Sequence, residues 1–204
     1  FLQYYLRYMS KAEKTRQYIV EKTAPVFNTK GYAGTSLNDI INCTGLTKGS
    51  IYGNFVNKDD VAVAAFEHNL KKVGDIIRQE MQQQKMIKDK LLVYPRVYDN
   101  FLKMPFPSGG CPILNTAIES DDTHPELRAK ASAAIINWKN SLVRLIEKGI
   151  ENKEIKKETN AEQTALSIIA LLEGAIMITK LTGKTNYKKI LMQSVAEHIE
   201  QILN

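Results

Sequence analysis

The segment SLNDIINCTGLTKGSIYGN, residues 36–54, contains the most informative pattern of this chain. Its spacing predicts a short helix over 36–43, a turn over 44–46 and a second short helix over 47–53. Gly45 lies where such a turn needs a backbone conformation that other residues resist. By spacing alone, a helix-turn-helix that binds DNA and an ordinary corner between two helices are about equally good interpretations.

The second of these helices is expected to expose a polar face. Ile51 points inward in this pattern, which leaves outward Thr47, Lys48, Ser50 and Tyr52. One cation, two hydroxyls and a phenol are groups that contact phosphates and base edges in a DNA major groove. The face is therefore compatible with DNA recognition, and the surrounding residues favour that interpretation.

These surrounding residues resemble a known family. The runs GYAGTSLNDI (31–40), INCTGLTKGS (41–50) and IYGNFVNKDD (51–60) closely resemble the DNA-binding domain of the TetR family of bacterial transcriptional regulators. The resemblance spans about residues 10–70, and fragments at 110–115 and 171–175 extend it. It implies a sequence-specific DNA-binding regulator.

The resemblance also implies roles for individual residues. According to the resemblance, the residues that contact backbone phosphates are Thr35, Ser36, Thr47, Tyr52 and Lys58. The resemblance also implies that Lys48, Gly49 and Ser50 lie nearest the bases. Gly49 would let the helix backbone approach the groove. Two residues depart from the family pattern. Ile41 stands where alanine is common and needs extra room, and Gly53 stands where a larger residue often contacts DNA.

Helical spacing recurs along almost the whole chain, so we predict an all-α fold. The predicted helices are 11–30, 36–43, 47–53, 57–84, 87–104, 112–120, 125–152, 162–181 and 186–203. We expect capping boxes at Ser10–Glu13 and Thr159–Glu162, and a further N-terminal cap at Asn57. Gly31 is placed to end the first helix, and Pro95 to kink the helix that contains it.

We predict three parts along the chain. Residues 1–9 form an N-terminal extension, because Met9-Ser-Lys resembles a natural start. Residues 10–56 form a three-helix domain that contains the helix-turn-helix and binds DNA. Residues 57–204 form a larger helical domain for ligand binding and dimerisation.

The predicted helix over 162–181 suggests a dimer. It is apolar on nearly all sides, so both of its faces are expected to be buried. Ala170, Gly174 and Ala175 are small and would permit close helix approach. A central helix of a monomer is the alternative. We favour a homodimer on a palindromic operator in double-stranded DNA, since a two-fold dimer presents two recognition helices.

A small-molecule inducer is a further expectation from the resemblance. Aromatic and polar residues that would suit a mostly apolar ligand are Tyr94, Tyr98, Phe101, Leu102, Asn115 and Trp138. Plain core packing is the alternative for each of them. Glu173 lies within an apolar helix and needs a partner, which is a cationic ligand, Lys180 or a backbone donor.

The resemblance therefore implies a repressor that an inducer releases from DNA. An activator or a ligand-independent DNA-binding regulator fits the sequence as well, and an all-α enzyme or small-molecule carrier is a more distant alternative. His68, His124 and His198 are scattered, and no nucleophile–base spacing, phosphate-binding loop or metal constellation is found. We expect neither enzymatic activity nor a cofactor or metal.

Charge, cysteine spacing and hydropathy limit the possible partners and the cellular location of the protein. A formal charge of +6 permits nucleic-acid binding. Cys43 and Cys111 have no CxxC partner, so we expect neither a disulfide nor a zinc site. The most apolar stretch, 166–178, is interrupted by polar residues and is expected to be too short for a membrane span. We expect a cytoplasmic protein without a membrane partner.

Overall fold

The computed structural model describes residues 10–103, 105–120 and 123–204. Within them the chain forms nine helices and no strand. The helices are α1 (Lys11–Gly34), α2 (Leu37–Thr44), α3 (Lys48–Tyr52), α4 (Lys58–Gln82), α5 (Ile87–Asp99), α6 (Pro112–Ser120), α7 (Pro125–Glu151), α8 (Ala161–Thr182) and α9 (Thr185–Gln201). The predicted all-α fold is confirmed, whereas the predicted extension over 1–9 lies outside the described residues.

The helix ends follow local chemistry that the sequence mostly predicts. Ser10 and Glu13 form the expected capping box at the start of α1. Gly31 has the positive φ of 74° and interrupts the helical backbone of α1 where an end was predicted. α5 ends at Asp99 and not near residue 104, because the following backbone N–H groups of Asn100 and Phe101 bond three residues back.

The capping box predicted at Thr159–Glu162 is not formed at the start of α8. The cap is Asn160, whose side chain accepts a hydrogen bond from the Gln163 backbone N–H at 3.0 Å. Glu162 is instead bound to the Lys139 ammonium at 2.5 Å, so its carboxylate is not available to the helix end. The helix begins as expected, but a different side chain caps it.

The chain divides into two compact units by its contacts. The first comprises Phe1–Lys71 and Pro107–Lys130, and the second comprises Lys72–Phe106 and Ala131–Asn204. In the first unit α1 packs against α2 and α6, and in the second α9 packs against α8 and α5. The domain boundary predicted after residue 56 stays a prediction, but these contacts assign the start of α4 and all of α6 to the first unit.

The expectation that no segment reaches the length of a membrane span is wrong for α8. The helix has 22 residues and a mean hydropathy of 1.7 over its most apolar window, which is long and apolar enough to cross a membrane. Only 44% of that window is buried within the chain. The core helix of a helical protein has the same length and composition.

Candidate DNA-binding surface

A small apolar core holds α2 and α3 in place. Ile40 and Ile51 are fully buried, and Phe55 just after α3 is 2% exposed. Gly45 ends α2 in the left-handed conformation, with φ at 68°, and its N–H donates to the Ile41 carbonyl at 2.8 Å. The turn that the sequence predicted is therefore formed, and Ile51 anchors the second helix from inside.

Side chains cap all three helix starts in this region. Ser36 and Asp39 form a capping box at the start of α2, which was not predicted from the sequence. The Thr47 hydroxyl accepts a hydrogen bond from the Ser50 N–H at 3.2 Å at the start of α3. Asn57 caps α4 by accepting from the Asp60 N–H at 2.9 Å, as expected. Caps matter most for α3, because a helix of five residues is too short to be stable alone.

Arg16 ties the helix-turn-helix to its neighbours. Its guanidinium donates to the Asn54 carbonyl at 2.6 Å and to the Asp60 carboxylate at 3.0 Å. The same group lies 3.9 Å from the centre of the Phe55 ring. The hydrogen bond from Arg16 is the main cause of a lowered pKa of Asp60, and the Val56 N–H lowers it further. Arg16 thus holds the segment after α3 in position, a role that spacing along the sequence does not reveal.

A second ion pair fastens α2 to α1. The Lys30 ammonium lies 2.6 Å from the Asp39 carboxylate. Hydrogen bonds from Lys30 and then from Ser36 hold the pKa of Asp39 well below its usual range. Both side chains are partly exposed, so we expect the pair to orient α2 more than to stabilise the fold.

The predicted DNA contacts differ in how accessible they are. Ser36, Thr47, Lys48 and Gly49 are exposed, and Ser50, Tyr52 and Lys58 are half-buried. Thr35 is the exception, because it is fully buried and its hydroxyl donates to the Gly31 carbonyl at 2.6 Å. The Thr35 side chain therefore supports the end of α1 and is not presented to a phosphate, which corrects its predicted role.

Lys58 has a defined place at the start of α4. Its ammonium lies 4.2 Å from the centre of the Tyr32 ring. The Tyr32 hydroxyl donates to the Asp59 carboxylate, and this hydrogen bond is the main cause that raises the pKa of Tyr32 to about 12. No role for Tyr32 was predicted from the sequence. The aromatic residue after Gly31 in the motif was the signal that could have found it.

The second unit contains an aromatic cluster, formed by Tyr94, Tyr98, Phe106 and Trp138. The Trp138 ring stacks on Tyr94 and Tyr98 with centroid distances of 6.0 and 5.5 Å, and Tyr98 meets Phe106 edge-on at 5.6 Å. Burial raises the pKa of Tyr94 to about 12. The structure thus brings together three residues predicted to bind a ligand and adds Phe106 to them.

Four other predicted ligand residues lie outside these ring contacts. Phe101 is buried, with the Lys188 ammonium 6.0 Å from its ring centre, and Leu102 is 58% exposed. Glu173 is half-buried on α8. Asn115 belongs to the first unit, where its amide donates to the Asn28 and Gly109 carbonyls at 2.9 and 3.0 Å. The predicted role of Asn115 as a ligand residue stays a prediction.

The described residues contain no group of three or more histidine, cysteine or acidic side chains that could hold a metal ion. Cys43 is half-buried and Cys111 is buried, both as thiols. Burial is the main cause that raises the pKa of Cys43, which lowers the reactivity of its sulfur.

Comparisons with known proteins agree with this architecture. The profile described as "Bacterial regulatory proteins, tetR family" matches residues 19–65, and the profile "Tetracyclin repressor-like, C-terminal domain" matches residues 88–195. The curated relatives include the HTH-type transcriptional regulator TtgR of Pseudomonas putida. It is 24% identical over 175 residues, which are 83% of this chain and 82% of that protein.

Solved structures of similar sequence cover nearly the whole chain. A TetR-family transcriptional regulator from Cytophaga hutchinsonii is 49% identical with a TM-score of 0.93, over 96% of this chain and 98% of that one. A TetR transcriptional regulator from Chloroflexus aurantiacus is 38% identical with a TM-score of 0.90, over the same shares of the two chains. With both domain profiles matched in their expected order, this chain belongs to the TetR family of DNA-binding transcriptional regulators, which are not enzymes.

Proposed function

We propose that the protein is a homodimeric repressor that binds a palindromic operator and leaves it when a small molecule binds. The observation that carries this proposal is the polar face of α3. Thr47, Lys48 and Gly49 are exposed on a helix that Ile51 anchors from the opposite side. An exposed helix face with a cation and hydroxyl groups is suited to recognition in the major groove.

The contacts divide into two groups. Lys48, Gly49 and Ser50 approach the bases, and Ser36, Thr47, Tyr52 and Lys58 bind phosphates. Gly49 supports this assignment, because a Cβ at this position would meet no atom closer than the Thr47 hydroxyl at 4.0 Å. The space above Gly49 is therefore open to an incoming DNA edge.

The exposed side of α8 supports the dimer. Leu166, Ala170, Met177 and Leu181 recur at spacings of four, seven and four residues, which places them on one helix face. Leu166, Met177 and Leu181 are 48%, 42% and 80% exposed. An apolar stripe of this length needs cover. A second copy of α8 would bury it and explain a helix that the sequence predicts to be apolar on both faces.

The aromatic cluster supports a ligand site in the second unit. Two phenols, a phenyl ring and an indole suit a flat, mostly apolar molecule, and the neutral Tyr94 hydroxyl can act as a hydrogen-bond partner. A ligand that prefers the non-binding conformation of the dimer would shift the population away from DNA. Since the partner is chromosomal DNA, the protein would act in the bacterial cytoplasm.

Genomic selection of DNA fragments bound by the protein, repeated with candidate ligands, tests this function. We expect a palindromic fragment to be enriched, and a ligand that lowers its occupancy to change the emission of Trp138, the single tryptophan of the chain. Ligand-independent binding would support a constitutive regulator. Ligand-enhanced binding would support an activator or a corepressor response. No sequence-specific enrichment at moderate salt would contradict the proposal.

A further inference from the structure

Glu119 on α6 binds the end of α1 through the backbone. One carboxylate oxygen accepts a hydrogen bond from the Tyr32 N–H at 2.5 Å, and the other accepts from the Ala33 N–H at 2.6 Å. Two hydrogen bonds to an ionised acceptor are stronger than neutral ones. They bind the two backbone N–H groups that directly follow the interruption of α1 at Gly31.

Gly31 makes this arrangement possible. Its φ of 74° turns the next two N–H groups toward α6. A Cβ at this position would lie 2.4 Å from a Glu119 carboxylate oxygen, so any side chain here would displace the carboxylate. Gly31, predicted only to end the first helix, therefore also leaves the space that the Glu119 carboxylate occupies.

Neighbouring side chains hold α6 against α1 independently of Glu119. The Asn28 amide donates to the Ser108 and Gly110 carbonyls at 2.6 and 2.9 Å, and Asn115 returns a hydrogen bond to the Asn28 carbonyl. A Cβ at Gly109 would lie 2.4 Å from that same carbonyl. Because this network fixes the position of α6, Glu119 has a rigid base from which to hold Tyr32.

Tyr32 connects Glu119 to a proposed DNA contact. Its backbone is held by Glu119, its hydroxyl donates to Asp59, and its ring lies 4.2 Å from the Lys58 ammonium. The ring of His124 packs edge-on against the same ring at a centroid distance of 4.5 Å. The Tyr32 ring is therefore fixed from three directions, and Lys58 rests on it.

We propose that Glu119 is a positioning residue for DNA binding, which places the Lys58 ammonium at a phosphate through Tyr32. The inference rests on the proposed function, because it uses Lys58 as a phosphate contact. Removing the carboxylate would release the two N–H groups and make Tyr32 more mobile. The Lys58 ammonium would then lose the fixed ring that it contacts.

The Glu119→Gln variant tests the first step without DNA. An amide offers one acceptor oxygen and turns an NH₂ group toward the second backbone donor, so at least one hydrogen bond is lost. We expect amide hydrogen exchange at Tyr32 and Ala33 to become at least severalfold faster, with the same unfolding midpoint to within a few degrees. The control is Glu126→Gln, an exposed acid in the first turn of α7, which should leave both exchange rates unchanged. Unchanged exchange in Glu119→Gln would overturn the proposal.

Binding to a DNA duplex tests the second step. The direction of the change in affinity distinguishes positioning from charge repulsion. If Glu119 only repelled the negatively charged DNA, its neutralisation would strengthen binding, as Glu126→Gln should do slightly. Positioning predicts the opposite. Glu119→Gln should bind severalfold more weakly, with a salt dependence less steep by about one phosphate contact per protomer. Glu119→Asp keeps the charge but shortens the reach, and it should weaken binding as well.

A double-mutant cycle with Lys58→Ala tests whether Glu119 acts through Lys58. Once Lys58 is absent, adding Glu119→Gln should cost little further affinity. Additive losses would overturn the proposed route. If the wild-type protein binds neither selected fragments nor a duplex of mixed sequence at low salt, the proposed function fails. The exchange experiment would still show separately whether Glu119 holds Tyr32.

Discussion

The helix-turn-helix and α8 are stabilised in different ways. α3 has five residues, and it depends on the Thr47 cap, the Ile51 anchor and the Arg16 link to Asn54. α8 has 22 residues, and eight of them are buried along one long, mostly apolar face. Short helices cannot supply enough contacts by themselves, so they need particular side chains at particular positions.

This difference has a consequence for recognition. The small region shows a dense, position-specific motif, and its exposed residues are polar and suited to DNA. The long helix shows only an apolar period, and its exposed residues are apolar and suited to another protein surface.

The exposed stripe of α8 should control both assembly and DNA affinity. The double variant Leu166→Glu/Leu181→Glu places charges on the proposed interface, so we expect monomers by light scattering. Loss of two-site binding should then weaken DNA binding by roughly 10²–10⁴-fold. Met86→Glu, at another exposed apolar residue in the second unit, serves as the control and should remain dimeric. A double variant that stays dimeric would exclude this face as the interface.

The core beneath α3 should be sensitive to a single truncation. Ile51→Ala leaves a cavity under the recognition helix and should cost about 2–5 kcal/mol of unfolding free energy, measured with denaturant. Val56→Ala is the matched control five residues away, because Val56 is 87% exposed and its truncation should change stability by less than about 0.5 kcal/mol. Equal losses in both variants would show that Ile51 is not an anchor.

The polar face of α3 should govern affinity without affecting the fold. Lys48→Ala should weaken binding to the selected operator by about 1–3 kcal/mol and leave the unfolding midpoint unchanged. Lys85→Ala removes the same charge from an exposed position in the second unit and should have a much smaller effect. Similar losses in both variants would indicate a general charge effect and not a specific contact.

The Lys30–Asp39 pair should produce the smallest effect, and one that depends on pH. Asp39 has a depressed pKa in the folded state, so its stabilising contribution is present above its unfolded pKa near 4 and is lost as pH falls below it. Between about pH 4 and pH 2, the thermal midpoint of the wild type should therefore fall more steeply than that of Asp39→Asn. Parallel curves for the two proteins would show that the pair contributes nothing measurable.

Local chemistry explains why the sequence predicted the fold and the turn and caps around the helix-turn-helix. Gly45, Asn57 and the Ser10–Glu13 box act through neighbours within four residues, and such contacts can be inferred from spacing. The prediction failed where a partner lies far along the chain. Thr159 was expected to cap α8 with Glu162, but Lys139 binds that carboxylate. The hydrogen bond from the Asn115 amide to the Asn28 carbonyl, 87 residues away, was likewise not predicted.

The sequence by itself determined the helices, the turn at Gly45 and the family, because helix period, caps and a left-handed glycine are local properties of the chain. Only the tertiary structure decided which polar side chains remain available to DNA. It buried Thr35, engaged Arg16 with Asp60 and Asn54, and placed Glu119 against the backbone of Tyr32. These outcomes depend on partners 38 to 87 residues away or on burial, and neither can be inferred from local spacing.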